Sequence, residues 1–316
     1  MVMDQLSDVF DLVDVHGVLT GGLAATGSWV ARAVIEDPLK LFAIVNGHAR
    51  LSAEGLDAPI ELEPGDVAIV NNRSWLQLEG GSGEGGSGEG PPREILPEET
   101  DLHATLTGAD RASDDVIIGV RVELNPTGRA LLLQALPPVA HVRASHTSAT
   151  PLRDSLDRLF DEVASNRIGS AFAIRQYGQL LLLEVLRAYI DQTQLPAGWL
   201  RALTDERLRP ALTLMHTQPE KPWGLDELAH AAAMSRTSFA ERFRTVAGIP
   251  PLTYLNRWRM LLAQRSLRNG DTRVGSLATQ LGYSSESAFS NAFKRQVGVS
   301  PLRYRHRARK QPSHTT

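Results

Sequence analysis

The chain has 316 residues, 42% of them hydrophobic and 22% charged, with a net charge of −3 and no cysteine. This excludes disulfides, cysteine-ligated zinc or iron–sulfur centres, thiol catalysis, and a wholly disordered or fibrous chain. From Asp205 onward there are 18 Lys and Arg against 8 Asp and Glu, a surplus of +10 that leaves −13 on the rest. One region therefore suits a polyanion that the other would repel, unless the surplus is only a solvated basic surface and tail.

The length predicts two or three compact units. The opening stretch, MVMDQLSDVFDLVDVHGV, is acidic where a secretory leader would be basic, and no run approaches the roughly 18 apolar residues of a spanning helix. A cytoplasmic protein without a membrane segment is expected. From about Ala31 to Leu78 the chain reads as short strands: LKLFAIV before Asn46-Gly47, then ARLSAEG, then IELEPGDVAIV turning at Pro64-Gly65-Asp66. Such spacing suggests a sandwich or small barrel. Glu79 to Pro92, EGGSGEGGSGEGPP, reads as a flexible solvated loop, natural or introduced. Strand character resumes in DVIIGVRVEL (Asp115 to Leu124) and in ALLLQALPPVAHV, which ends at Val142. Sheet on both sides of the glycine loop implies one domain interrupted by it.

From Pro151 the period becomes helical. Leu152, Leu156, Leu159, Phe160 and Val163 share a face, and YGQLLLLEVLRAYI forms a second, unusually apolar helix. Packing on the strands and a dimer interface are both open to this pair. LPAGW, Leu195 to Trp199, reads as a linker. The expected domains are residues 1–150, a helical dimerisation or linker region at 151–198, and 199–316.

The C-terminal region repeats itself. SFAERFRTVAGIPPLTY (Ser238 to Tyr254) matches AFSNAFKRQVGVSPLRY (Ala288 to Tyr304), with Phe239/Phe289, Phe243/Phe293, Gly248/Gly298, Pro251/Pro301, Leu252/Leu302 and Tyr254/Tyr304 each fifty apart. Upstream, ELAHAA (Glu227 to Ala232) aligns with SLATQL (Ser276 to Leu281) at an offset of 49. Each copy has a short helix, a tight turn at Ala233-Met234 or Gly282-Tyr283, and a serine, Ser235 or one of Ser284 and Ser285, able to cap a second helix. That is the order of a helix-turn-helix unit. The Phe pair points inward, so Arg236, Thr237, Ala240, Glu241 and Arg244 face out in one copy, as do Glu286, Ser287, Ser290, Asn291 and Lys294 in the other. PLTYLNRWRMLLAQRSLRNG between the copies predicts a helix of about 18 residues, roughly 27 Å long. A spacer of that length could hold two reading helices about one duplex turn apart, roughly 34 Å.

Through DELAHAAAMSRTSFAERFRTVAGIPPLTYLNRWRMLLAQRSL and LATQLGYSSESAFSNAFKRQVGVSPLRYR, the segment from about Leu203 to Arg307 resembles the DNA-binding domain of the AraC/XylS transcription regulators. The resemblance implies two helix-turn-helix units on successive major-groove segments of promoter DNA. Carried over by position, it puts base contacts at Ser235, Thr237, Ala240 and Glu241, and at Glu286, Ser287 and Asn291, with outward Arg236 among them. Where other members often carry Arg or Gln, Ala240 offers only a methyl contact, as to thymine. Glu241 and Glu286 could accept from cytosine or simply favour a helix start. Phosphate contacts are expected from Arg242, Arg244, Lys294 and Arg295.

The N-terminal half, through HGVLTGGL, LKLFAIVNGHARL, LEPGDVAIV and LPPVAHV, resembles the cupin-like sensor domain of part of that family. The expected fold is thus α+β in two domains, a cupin-like β-barrel with helices and an all-α double helix-turn-helix. Cupin enzymes hold a metal through His-x-His, Glu and a later His. Here His48 is followed by Ala49-Arg50, and Trp75 and Leu76 stand where the later His would come. No metal or other cofactor is expected, and His48, His141 and His146 read as exposed or internally satisfied. The leading reading is a non-enzymatic regulator, a homodimer working with RNA polymerase under a small-molecule or other signal, with activator and repressor both open. A cupin enzyme with a DNA-binding appendage and a protein-binding scaffold are the alternatives.

Overall fold

A computed structural model describes residues 5–13, 16–81, 91–95, 102–107, 109, 114–146, 150–165 and 167–310. The middle of the glycine loop, 82–90, lies outside them. The chain forms two compact units, residues 14–194 and residues 195–316 together with the N-terminal 1–13. The three-part division expected from the sequence therefore shifts at both ends. The first helix, α1 (Gln5–Val13), belongs with the C-terminal unit, and the helices near 150–190 belong with the strands.

The 14–194 unit contains β1 (His16–Ala25), β2 (Trp29–Val34), β3 (Leu39–Asn46), β4 (Ala49–Ala53), β5 (Ile60–Leu62), β6 (Val67–Asn71), β7 (Trp75–Gly80) and β8 (Arg93–Ile95). After them come α2 (Leu102–Thr107), β9 (Asp115–Glu123), α3 (Pro126–Ala135), β10 (Val139–Val142), α4 (Thr150–Ser165) and α5 (Ser170–Gln192). Two five-stranded sheets form, in the orders β1-β9-β3-β6-β10 and β5-β4-β7-β2-β8. Among the described residues the pairings are antiparallel except that of β2 with β8. Trp29, Leu51, Leu76 and Leu78 of one sheet and Phe42, Ile44, Val70 and Ile117 of the other make one core between them.

The two sheets differ as their neighbours require. β4 and β7 alternate buried with open positions, as strands with one wet face do. β3, β6 and β9 are buried almost continuously, because α4 and α5 cover the second face of their sheet. Leu152, Leu156, Leu159, Phe160 and Val163 are all buried, so the apolar stripe of α4 does pack on its own unit. Asp66, in the Pro64-Gly65 turn, ties this layer together. Its Oδ2 lies 2.7 Å from His141 Nε2, and its Oδ1 accepts the Ala144 N–H at 2.7 Å. Burial alone would raise the Asp66 carboxyl, but these partners hold it below its ordinary value.

One expected strand is a helix in its first half: ALLLQ lies in α3. Asn125 accepts the Gly128 N–H as N-cap and Pro126 fills the first helical position, a start signal that outweighs the apolar run.

The C-terminal unit adds α6 (Trp199–Thr204), α7 (Arg209–Thr217), α8 (Leu225–Ala231), α9 (Arg236–Ala247), α10 (Pro251–Asn269), α11 (Val274–Gln280), α12 (Glu286–Val297) and α13 (Pro301–Lys310). Helix α10, 19 residues and so about 28 Å long, serves two cores. Its Tyr254 and Leu255 join Phe239 and Phe243, while its Met260, Ala263 and Leu267 join Phe289 and Phe293. Helix α1 packs on α7 and α10. Val9 and Leu12 are buried, Gln5 Nε2 donates to Thr213 Oγ1 at 2.7 Å, and Asp8 Oδ2 lies 3.4 Å from His216 Nδ1. His216 stacks on Trp258 at 3.8 Å between ring centroids, and its Nε2 meets the Tyr254 hydroxyl at 2.9 Å. Burial pushes the His216 imidazole below its usual range against the pull of Asp8, and burial raises Tyr254 well above its own.

Candidate nucleic-acid interface

The two helix-turn-helix copies are built on the same local bonds. In the turns, Met234 N–H bonds the Ala229 carbonyl and Tyr283 N–H the Ala278 carbonyl, both at 2.9 Å. Both turns need a left-handed residue, Gly282 at φ 76° and Ala233 at φ 52°. Ser235 Oγ accepts the Ser238 N–H at 3.2 Å, and Ser285 Oγ accepts the Ala288 N–H at 3.1 Å, so Ser285 rather than Ser284 is the second cap. Gly248 and Gly298, at φ 73° and 86°, close the reading helices by bonding the Arg244 and Lys294 carbonyls.

The aromatic packing repeats as well. Phe239 to Phe243 is 5.7 Å and Phe243 to Tyr254 is 5.5 Å; Phe289 to Phe293 is 5.8 Å and Phe293 to Tyr304 is 5.5 Å. All four phenylalanines are fully buried, each contributing roughly 1.5–3 kcal/mol of transfer free energy. This packing turns one ridge of each helix outward. Arg236, Thr237, Glu241 and Arg244 are exposed on α9, and Glu286, Ser287, Asn291 and Lys294 on α12, with Ala240 and Ser290 half-buried in each row. On α9 the ridge borders a shallow hollow of about 260 Å³ lined by Leu225, Arg236, Thr237, Ala240, Glu241 and Arg244.

Three expected contacts are placed differently from the rest. The Ser235 hydroxyl is engaged in its cap and with Ser238 Oγ at 2.9 Å. Arg242 does not stand free for phosphate: it forks onto Asp205, Nε to Oδ1 at 3.1 Å and a terminal nitrogen to Oδ2 at 2.8 Å. Glu286 leans over the first turn of α11, where a methyl group on Gly275 would come within 2.9 Å of its Oε2. A carboxylate there lies by two helix starts, its own and that of α11, where the exposed amide dipoles favour a negative charge. Lys294 and Arg295 are exposed. Arg236 reaches Asp226 at 3.2 Å, an exposed pair contributing about 0–1 kcal/mol.

Sequence reading missed the contribution of α1 and the Asp205–Arg242 pair. Asp8 and His216 are about two hundred positions apart, and no local pattern announces such a contact. The histidines considered for a metal are otherwise occupied or open: His141 is held by Asp66, and His48 and His146 are exposed.

Residues 4–191 match the protein family described as Cupin, and residues 228–307 match the one described as Helix-turn-helix domain. The chain is 33% identical over 304 residues to a protein of Streptomyces lividans named as an AraC-like transcription regulator, covering 96% of this chain and 98% of the relative. It is 29% identical over 312 residues to the HTH-type transcriptional regulator AlkR of Acinetobacter baylyi, covering 96% and 99%. It is also 33% identical over 261 residues to the RCS-specific HTH-type transcriptional activator RclR of Escherichia coli, covering 81% and 90%. The solved DNA-binding domain of AdpA, in complex with a target DNA, is 34% identical over 34% of this chain and 96% of that one, at a TM-score of 0.32. A cupin unit joined to a duplicated helix-turn-helix, matched along nearly the whole chain, makes this protein a member of the AraC-type family of DNA-binding transcription regulators.

Proposed function

We propose that the protein reads promoter DNA by placing the exposed ridges of α9 and α12 in successive major-groove segments. The carrying observation is the repetition of one scaffold, cap by cap and ring by ring, under two differing exposed ridges. Duplicated packing with unlike outward residues is what reading two different base sequences requires. Thr237 and Asn291 supply hydrogen-bonding side chains, Ala240 a methyl, and Arg244, Lys294 and Arg295 meet phosphates. Glu241 faces base edges, while Glu286 serves chiefly the helix starts.

The regulator acts without a catalytic step, in the cytoplasm, as a homodimer. Ile168, Phe172 and Leu180, exposed near the α4–α5 turn and along α5, support the dimer, since an apolar patch of this kind favours a second copy. The cupin unit receives a small-molecule signal, which shifts a pre-existing balance of states. The role is that of an activator, a reading supported by the likeness to the transcriptional activator RclR, and an activator of this kind would work through RNA polymerase.

The test uses full-length protein and fragments it selects from random-sequence DNA. Replacing Thr237 and Asn291 together by Ala should abolish discrimination between selected and scrambled fragments while leaving salt-dependent binding in place. Undiminished discrimination would refute the assignment of the two ridges. Phe172→Glu should shift the species seen by light scattering from dimer to monomer.

A further inference from the structure

The two reading helices share packing but not ionic support. Asp205, where α6 ends, has a carboxylate that gathers four donors: Oδ1 accepts the N–H groups of Arg207 at 3.0 Å and Leu208 at 3.1 Å as well as Arg242 Nε, and Oδ2 takes the second arm of Arg242. Its side chain is 9% exposed and that of Arg242 is 35% exposed. A planar guanidinium bound at two points fixes direction as well as distance, as a lysine ammonium could not. Fifty residues on, the position of Arg242 is Ala292. The second charged contact of α9, Arg236 with Asp226, has Glu286 and Gly275 at its counterparts. So α9 is tied by two ion pairs, and neither pair has an equivalent on α12.

We infer that Arg242 is a positioning residue for DNA recognition: its fork on Asp205 sets the pitch of α9 against the α6–α7 corner, pre-orienting the first reading helix while the second adjusts on its aromatic packing. Base-edge hydrogen bonds tolerate only a few tenths of an ångström, so a helix held in advance loses less on docking. Recruiting Arg242 to a phosphate instead would leave the Asp205 charge shielded from water and unpaired, which is strongly unfavourable.

This rests on the reading that α9 enters the major groove, and the experiment separates the two. Affinity of the full-length protein is measured against salt for three fragments: one selected by the wild type, and copies with either half-site scrambled. Arg242→Gln and Asp205→Asn should each weaken binding to the selected fragment about tenfold, or about 1.4 kcal/mol, with no change in the slope of log affinity against log salt. Neither should matter when the half-site of α9 is scrambled, and the double variant should be no worse than either single one. A slope reduced by about 0.9 for Arg242→Gln alone would make Arg242 a phosphate contact and overturn the inference. Equal losses on both scrambled fragments, in step with a lowered melting temperature, would reduce the pair to a fold stabiliser and overturn it too. Thr237→Ala tests the underlying reading: unchanged discrimination at the half-site of α9 would remove that reading, and the role of the pair in recognition with it.

Discussion

The first helix-turn-helix copy and the second share the aromatic centre of their cores and differ at most of their charged positions. Their phenylalanines, tyrosines, serine caps and terminal glycines superpose in role. Arg236, Arg242 and Asp226 of the first are matched by Glu286, Ala292 and Gly275 of the second. Packing, in other words, maintains the shape of a reading helix, while charge tunes how each copy is held and what it meets.

The largest effect expected of this comparison is an equality. Phe243→Ala and Phe293→Ala should each cost about 3–5 kcal/mol in denaturant unfolding, because each empties the centre of its own core. A clearly cheaper loss in one copy would show that the cores are not equivalent. Next come the turns, where the copies should respond with opposite sign. Ala233→Gly relieves a left-handed alanine and should stabilise by roughly 1 kcal/mol. Gly282→Ala should destabilise by roughly 1–2 kcal/mol or more, since its methyl would also fall 2.1 Å from the Glu220 carbonyl oxygen; thermal melts of the two variants decide.

A smaller difference is in pH response. His216 belongs to the first core, and burial keeps its imidazole below the ordinary value of 6.5. The unfolded chain therefore binds more protons than the folded one once pH falls below about 6.5, so stability should decline on acidification by at most about 1.4 kcal/mol per pH unit. Unfolding followed between about pH 5.5 and 7.5 should show this slope, and His216→Gln should flatten it. The smallest effect is at the surface: Asp226→Asn, breaking an exposed pair, should change stability by under about 1 kcal/mol.

The parts of this fold legible in the sequence were those with short-range signals. The strands from β2 to β7, the α4 stripe, both tight turns and the α10 spacer all follow from periodicity and turn chemistry within a few residues. The helix α3 was hidden inside an apolar run that strand and helix share, although Asn125-Pro126 marked its start. At the interface the outward residues came from helical spacing alone, and the burial pattern agrees with that spacing. Asp205, Asp8 and Gly275 could not be read, because each acquires its meaning from a side chain brought near only by tertiary packing. Glu286 shows the boundary well: spacing puts it at a helix start, but only the gap above Gly275 shows where its carboxylate rests.

Helix α1 has a consequence for how the molecule is made. Its docking site on α7 and α10 lies about two hundred residues downstream, so at about 5–20 residues per second the ribosome leaves this helix without its partner for about 10–40 s. Meanwhile the whole 14–194 unit emerges, and completing the C-terminal unit closes the intervening chain into a loop, at an entropic cost that grows only with the logarithm of loop length. The C-terminal unit is thus assembled from both ends of the chain, and a fragment beginning at Leu195 would lack the Asp8 carboxylate beside His216 and the Leu12 carbonyl that accepts from Arg268.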